Sequence, residues 1–315
     1  MEYEERLDTR LEEKISALVE KKGVTRRDFM KFCGIMAATL GLEASYIPKI
    51  AEALVSGPRP PVIWLQFAEC TGCTEAFLRS SSPFIDDLLL NKISLEYHET
   101  IMAPAGDAAT LSLTDAVSKY SGKFIVIVEG SIPLADSGNF GKIGGRTMID
   151  IAREVCPQAR MMVSLGTCAS YGGLPAAKGG LTGAECFHGA LGGLSTIKLP
   201  GCPPNPVNFA ALLVNYLLFG DYPKLDTLGR PIFAYGSTVH SQCPRLNTAW
   251  CLQNFGCRGP ATYHNCPTAM YNDKTSWCVQ ADVPCKGCSQ PGFWDGGSFF
   301  NYAGTYAGSS GGSSD

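Results

Sequence analysis

The stretch Val62-Ile63-Trp64-Leu65-Gln66-Phe67-Ala68-Glu69-Cys70-Thr71-Gly72-Cys73 runs from an apolar segment into a C-x-x-C pair with only Ala68 and Glu69 between them. The run from Val62 to Phe67 is too short for a stable helix and carries β-branched and aromatic residues, so it is expected to be a buried strand. Four further runs have the same character: Ile93 to His98, Phe124 to Glu129, Met161 to Leu165 and Thr196 to Leu199. Most are bounded by Gly, Pro or Ser, and helix-like segments lie between them, which is the rhythm of βαβ units. The fold class that follows is α/β: a parallel sheet with helices on both faces, over about residues 54–222. Ligands of such sheets gather beyond the carboxyl ends of the strands. Cys70 and Cys73 follow the first strand, Cys168 the fourth and Cys202 the fifth, so one point at the sheet edge can collect all four.

Past residue 222 the periodicity fades, and Cys, Gly, Pro, Asn and Trp become frequent. Between Val239 and Asp295 little could build a regular apolar core, yet seven cysteines fall there. A small, loop-rich domain over 223–300, organised around inorganic cofactors, is expected. The segment 301–315 is Gly/Ser-rich and reads as a flexible tail.

The cysteines form three groups. Cys70, Cys73, Cys168 and Cys202 supply four thiolates from three loops, which suits a 4Fe-4S cluster or zinc. Adjacent glycines, Gly72, Gly166 and Gly201, let the backbone approach a bulky core closely. His240, Cys243, Cys251 and Cys257 form a second group, again compatible with zinc or with a cluster carrying one imidazole ligand. Cys266, Cys278, Cys285 and Cys288 form a third, within 23 residues and interleaved with Pro267, Trp277 and Pro284. Cys33, Cys156 and Cys186 remain; the first lies in the N-terminal segment, and the other two are expected to be buried structural thiols.

The N-terminal segment 1–53 has the pattern of a bacterial twin-arginine export leader. Arg26-Arg27 precede an apolar run from Phe32 to Leu42, and Ala51-Glu52-Ala53 is a small-x-small cleavage candidate. The run is too short to span a bilayer. That route carries proteins already folded around cofactors, so an exported cysteine-rich chain need not hold disulfides. In the full chain of 315 residues, 26 Lys plus Arg stand against 29 Asp plus Glu, a formal charge of −3, with 45% hydrophobic and only 17% charged residues. That balance argues against a disordered chain or a nucleic-acid binder, and favours a surface covered by a large protein partner. No Gly-rich phosphate loop is apparent, since Gly141, Gly144 and Gly145 follow no strand directly.

Taken in order, Cys70-Thr71-Gly72-Cys73-Thr74-Glu75, Gly166-Thr167-Cys168 through Gly173, Pro200-Gly201-Cys202-Pro203-Pro204-Asn205-Pro206, His240-x-x-Cys243, Gly256-Cys257-x-Gly259-Pro260 and Cys285-x-Gly287-Cys288 resemble the small subunit of the nickel-iron hydrogenases, as does the leader. The resemblance covers about residues 25–295. It implies a flavodoxin-like domain carrying a proximal 4Fe-4S cluster on Cys70, Cys73, Cys168 and Cys202. It also implies a C-terminal domain carrying a distal cluster on His240, Cys243, Cys251 and Cys257 and a medial cluster on Cys266, Cys278, Cys285 and Cys288. The expected function is an electron relay: a NiFe-bearing large subunit, in a heterodimer with this chain, oxidises hydrogen, and electrons leave through three 4Fe-4S clusters. The acceptor is expected to be a periplasmic c-type cytochrome or a membrane quinone-reducing subunit, and the location the periplasm.

Three departures refine that expectation. Many family members have proline where this chain has Cys278, so four thiolates here imply a 4Fe-4S rather than a three-iron medial cluster. Oxygen-tolerant relatives carry extra cysteines at the positions of Gly72 and Gly173, so ordinary oxygen sensitivity is expected. Only seven residues separate Cys243 from Cys251, where the family usually has a longer insertion. Glu69 and Glu75 flank the first motif and are expected to be solvated or hydrogen-bonded carboxylates rather than catalytic groups. The alternative outside electron transfer is an exported zinc- or disulfide-stabilised binding module. Within electron transfer, relatives with the same core serve quinone or formate complexes, but usually lack the second and third cysteine groups.

Overall fold

The computed structural model describes residues 2–22, 25–79, 92–177, 180–272 and 274–295; the Gly/Ser tail expected at 301–315 lies outside them. Three helices come first: α1 (Glu2–Lys22), α2 (Arg26–Leu40) and α3 (Ile47–Ser56). Thr25 caps α2 by accepting a hydrogen bond from the Asp28 amide at 3.1 Å, and Gly41 ends it in the left-handed region. The domain boundary expected at 53/54 falls inside α3.

The chain then alternates: β1 (Pro61–Gln66), α4 (Gly72–Leu78), β2 (Ser94–His98), α5 (Asp107–Tyr120), β3 (Ile125–Glu129), α6 (Met148–Val155), β4 (Met161–Leu165), α7 (Gly166–Tyr171), β5 (Ile197–Leu199) and α8 (Pro206–Phe219). All five strands are parallel, in the order β2-β1-β3-β4-β5. Each expected strand is present to within one residue at its start. This order is that of the flavodoxin-like sheet, whose ligand crevice opens between β1 and β3, where the winding reverses.

Alternation along the strands feeds two cores. Val62, Trp64, Ile125, Ile127 and Val163 face α8 and the N-terminal helices. Ile63, Leu65, Val126 and Val128 face α5 and α6. Every residue of β3 is buried, as expected of a central strand covered on both sides. Helix α8 starts at Asn205, whose side chain accepts from the Val207 amide at 2.9 Å; Pro206 occupies the first turn and Gly220 closes the helix.

Register sets the functional edge: Gln66 aligns with Glu129, Glu129 with Leu165, and Leu165 with Leu199. The loops beyond Gln66, Leu165 and Leu199 carry Cys70, Cys73, Cys168 and Cys202. Past Phe219 the described residues form turns, isolated β-bridges and helices of three or four residues. Their small apolar cluster is Val239, Trp277, Val279 and Cys285.

Candidate metal centres

The first group converges at the switch point. Cys73 is half-buried, and its thiol is raised well above its ordinary value by desolvation, by the Glu129 carboxylate and by Cys168 and Cys202. The Cys168 and Cys202 thiols are pushed up to about 11, chiefly by burial, with Cys70 adding to both. Cys73, Cys168 and Cys202, raised in this way, need a cationic centre beside them before they can ionise together. The backbone leaves room for a bulky core: a Cβ on Gly166 (φ +85°) would lie 2.4 Å from the Cys73 sulfur, and one on Gly173 (φ +59°) 2.4 Å from the Cys168 sulfur. The cradle and the all-sulfur donor set both fit an iron-sulfur cluster.

Beneath this group lies a carboxylate network. Glu129, fully buried, accepts from the Cys73 and Thr74 amides at 3.0 and 3.1 Å, from the Thr74 hydroxyl at 2.5 Å and from the Trp64 indole at 3.1 Å. It therefore fixes the start of α4 and the direction of Cys73. Glu69 accepts from the Thr71 amide, and its pKa rises to about 8 through burial and the nearby Glu129. Glu99 accepts from the Gln66 amide at 2.6 Å and rises to about 7, chiefly by burial. His98, 3.4 Å from the Thr74 hydroxyl, is lowered to about 4 by burial. Glu75 is exposed and pairs with Arg79 at 3.5 Å. Of the two flanking carboxylates, then, one is hydrogen-bonded and one solvated, as expected.

The third group is equally tight. Cys266 is raised well above its ordinary value by burial and by Cys288, Cys285 and Cys278. Cys285 rises to about 12 and Cys288 to about 11, burial leading in both. His264 is buried, is lowered to about 4, and places Nδ1 3.0 Å from the Cys266 sulfur.

The second group is looser. Gly259 sits between His240 and Cys257, its Cβ position 3.6 Å from the His240 Cβ and 3.4 Å from the Cys257 sulfur. Cys243 packs on the small apolar cluster with Cys257 and accepts from the Arg245 amide at 3.4 Å. Cys251 ends a turn from Thr248, and among the described residues no hydrogen bond ties its sulfur to the other three.

The groups also meet one another. Thr167 donates its hydroxyl to the Cys288 carbonyl and accepts from the Gly201 amide at 3.0 Å, joining the first group to the third. The Cys285 amide donates to the Cys257 sulfur at 3.3 Å, joining the third to the second. Asn208 and Asn265 exchange hydrogen bonds of 2.9 and 2.8 Å, fastening α8 to the cysteine-rich domain. All fourteen cysteines are free of disulfides. Cys33 and Cys156 are buried, but Cys186 is only half-buried: its sulfur accepts from the Gly189 amide and caps a short helix, so the expectation of a buried thiol is corrected there. Among the described residues no three His, Cys, Asp or Glu side chains close on a point suited to a single metal ion.

The comparisons separate the readings the sheet domain leaves open. A family model described as NADH ubiquinone oxidoreductase, 20 Kd subunit, matches residues 70–216, and that half alone suits several electron-transfer complexes. A second model, for the C-terminal part of the NiFe/NiFeSe hydrogenase small subunit, matches residues 235–301. The chain is 46% identical over 294 residues to the periplasmic NiFe hydrogenase small subunit 1 of Nitratidesulfovibrio vulgaris, covering 87% of this chain and 92% of that one. The chain belongs to the family of NiFe hydrogenase small subunits. Within that family, the uptake hydrogenase small subunit of Azotobacter vinelandii is 39% identical over 300 residues, covering 90% of this chain and 84% of that one. The NiFeSe hydrogenase crystal structure from Desulfomicrobium baculatum superposes with a TM-score of 0.72 at 34% identity, covering 78% of this small subunit and all of the matched chain. Sequence reasoning missed Glu129, Thr167 and His264. Glu129 had a signal: a carboxylate ending an otherwise apolar central strand.

Proposed function

We propose that this small subunit relays electrons from hydrogen oxidation in its large-subunit partner through three 4Fe-4S clusters. Cys70, Cys73, Cys168 and Cys202 hold the proximal one. Cys266, Cys278, Cys285 and Cys288 hold the medial one, and His240, Cys243, Cys251 and Cys257 the distal one. A cluster in each cage supplies one-electron storage. The protein contributes placement, exclusion of water and hydrogen bonds to sulfur. The observation that carries this reading is the chain of contacts from Thr167 to Cys288 and from Cys285 to Cys257, which sets the third group between the other two. Four thiolates, rather than three with a proline, favour a medial cluster of lower potential through their added negative charge.

Residues 1–53 act as a twin-arginine leader that delivers the folded heterodimer to the periplasm. The relatives named periplasmic support this, and no helix of the described residues is long and apolar enough to cross a membrane. The acceptor is a periplasmic c-type cytochrome or a membrane quinone-reducing subunit, met at the histidine-ligated cluster. The test is Cys73→Ser in the assembled complex. Hydrogen-dependent dye reduction is expected to fall at least about 100-fold, with loss of one cluster's iron; wild-type values for both refute the proximal assignment. In the unaltered protein, oxidised samples are expected to lack a stoichiometric three-iron paramagnetic signal, whose presence would remove Cys278 from the ligands.

A further inference from the structure

Helix α8 is apolar on every side: between Pro206 and Phe219, only Asn208, Asn215 and the Tyr216 hydroxyl offer polar side-chain atoms. Such a helix needs cover all round. Inward, Phe209 meets the Trp64 ring of β1 edge-on at 5.6 Å. Part of its outer cover is α2 and α3, whose Phe29, Phe32, Met36, Ile50 and Leu54, none more than 1% exposed, share one core with Trp64, Phe77 and Phe209. These helices are nearly all leader. The expected cleavage segment Ala51-Glu52-Ala53 lies within α3 with Ala51 fully buried, out of reach of a peptidase that needs an open backbone. The twin-arginine helix is clamped as well, Arg26 making a two-pronged pair with Glu12 of α1 at 2.5 and 2.9 Å.

An open pocket of about 490 Å³ lies between Phe32, Ile35 and Met36 of α2, Gly72 and Glu75 of α4, and the loop bearing Pro203. Cys70 and Cys202, both exposed, lie just before α4 and beside Pro203, and a partner that passes electrons to the first cage must approach there.

We infer that α2 and α3 are a removable cover, seated on the face of α4 and α8 that the large subunit occupies in the heterodimer, so that docked leader and bound large subunit exclude each other. The inference rests on the leader and heterodimer of the proposed function. In the lone precursor the cleavage segment stays buried; large-subunit binding lifts the leader off and frees it for export and processing. The cover also lowers the apparent affinity for the large subunit by the fraction of precursor in which it is seated.

Hydrogen exchange on the anaerobically purified full-length precursor, alone and with its large subunit, tests this. Amides of residues 29–37 and 50–54 are expected to be protected in the lone precursor and to exchange at least about tenfold faster in the complex, with β3 unchanged. Equal protection in both states, or none in the lone precursor, overturns the inference. Phe32→Ala with Met36→Ala is expected to unseat the leader and tighten large-subunit binding by about tenfold, whereas Met36→Leu leaves it as it was. An unseated leader with unchanged affinity also overturns it. Replacing Arg26 and Arg27 together by lysine separates the two levels: continued export would refute the leader, while the exchange experiment would still decide the seat.

Discussion

The sheet domain and the cysteine-rich domain solve the problem of stability by different means. The first buries alternating strand residues in two extensive clusters, one on each side of the sheet. The second has a separate core cluster of only four buried residues, Val239, Trp277, Val279 and Cys285, and among its described residues no helix exceeds four residues. Apolar burial can hold the first without a cofactor. In the second, the free energy of holding the proposed clusters would in effect be the free energy of folding. The difference locates the two kinds of information: the sheet domain is encoded in periodicity, the other in the spacing of the eight proposed ligands from His240 to Cys288.

The comparison can be broken most directly by taking iron away. Anaerobic chelation is expected to abolish measurable amide protection from about 239 to 288 while β1, β3 and β4 remain protected; simultaneous loss in both domains would refute the division. Next, Phe209→Ala, which removes ring contacts to Trp64 and Phe77 at 5.6 Å each, should destabilise the sheet domain by about 3–5 kcal/mol, with cluster absorption per folded molecule unchanged.

A smaller effect belongs to pH. Burial raises Glu99 from 4.5 to about 7, so the folded sheet domain keeps a proton that the unfolded chain releases. This contribution is fully present below about 4.5 and is lost as pH rises through 7, amounting to roughly 2–3 kcal/mol. Denaturant titrations of Glu99→Gln should show a shallower decline, the remainder owed to Glu69, with no such change in the cysteine-rich domain. The smallest effect is electrochemical. Replacing His264 by Phe removes one hydrogen bond to the Cys266 sulfur and should lower the medial potential by about 40–60 mV, read by redox titration at unchanged iron content. A shift in iron content instead would make His264 structural.

The legibility of the two domains differs for the same reason. Val62 to Phe67 and Phe124 to Glu129 announce strands because parallel strands covered on both faces are continuously apolar, and the cysteines after β1, β4 and β5 follow from where such sheets bind ligands. Cys186 was misjudged because a thiol's burial depends on packing that no local pattern records. Glu129 and His264 escaped because their roles are set by partners that no motif announces: Cys73, 56 residues before Glu129, in one case, and a neighbouring sulfur reached only through the local fold in the other. Thr167 was visible only as a small residue inside a glycine-flanked motif, with nothing to indicate that its hydroxyl spans 121 positions to Cys288.

That hydroxyl has a mechanical meaning. Thr167 holds the Gly201 loop and the Cys288 loop with one side chain, so the two domains are riveted at the point where the proposed relay crosses between them. A hinge elsewhere could bend without altering the gap an electron must jump. The rate of that jump is then a fixed property of the folded chain, indifferent to solvent viscosity, and any tuning must come from potentials rather than motion.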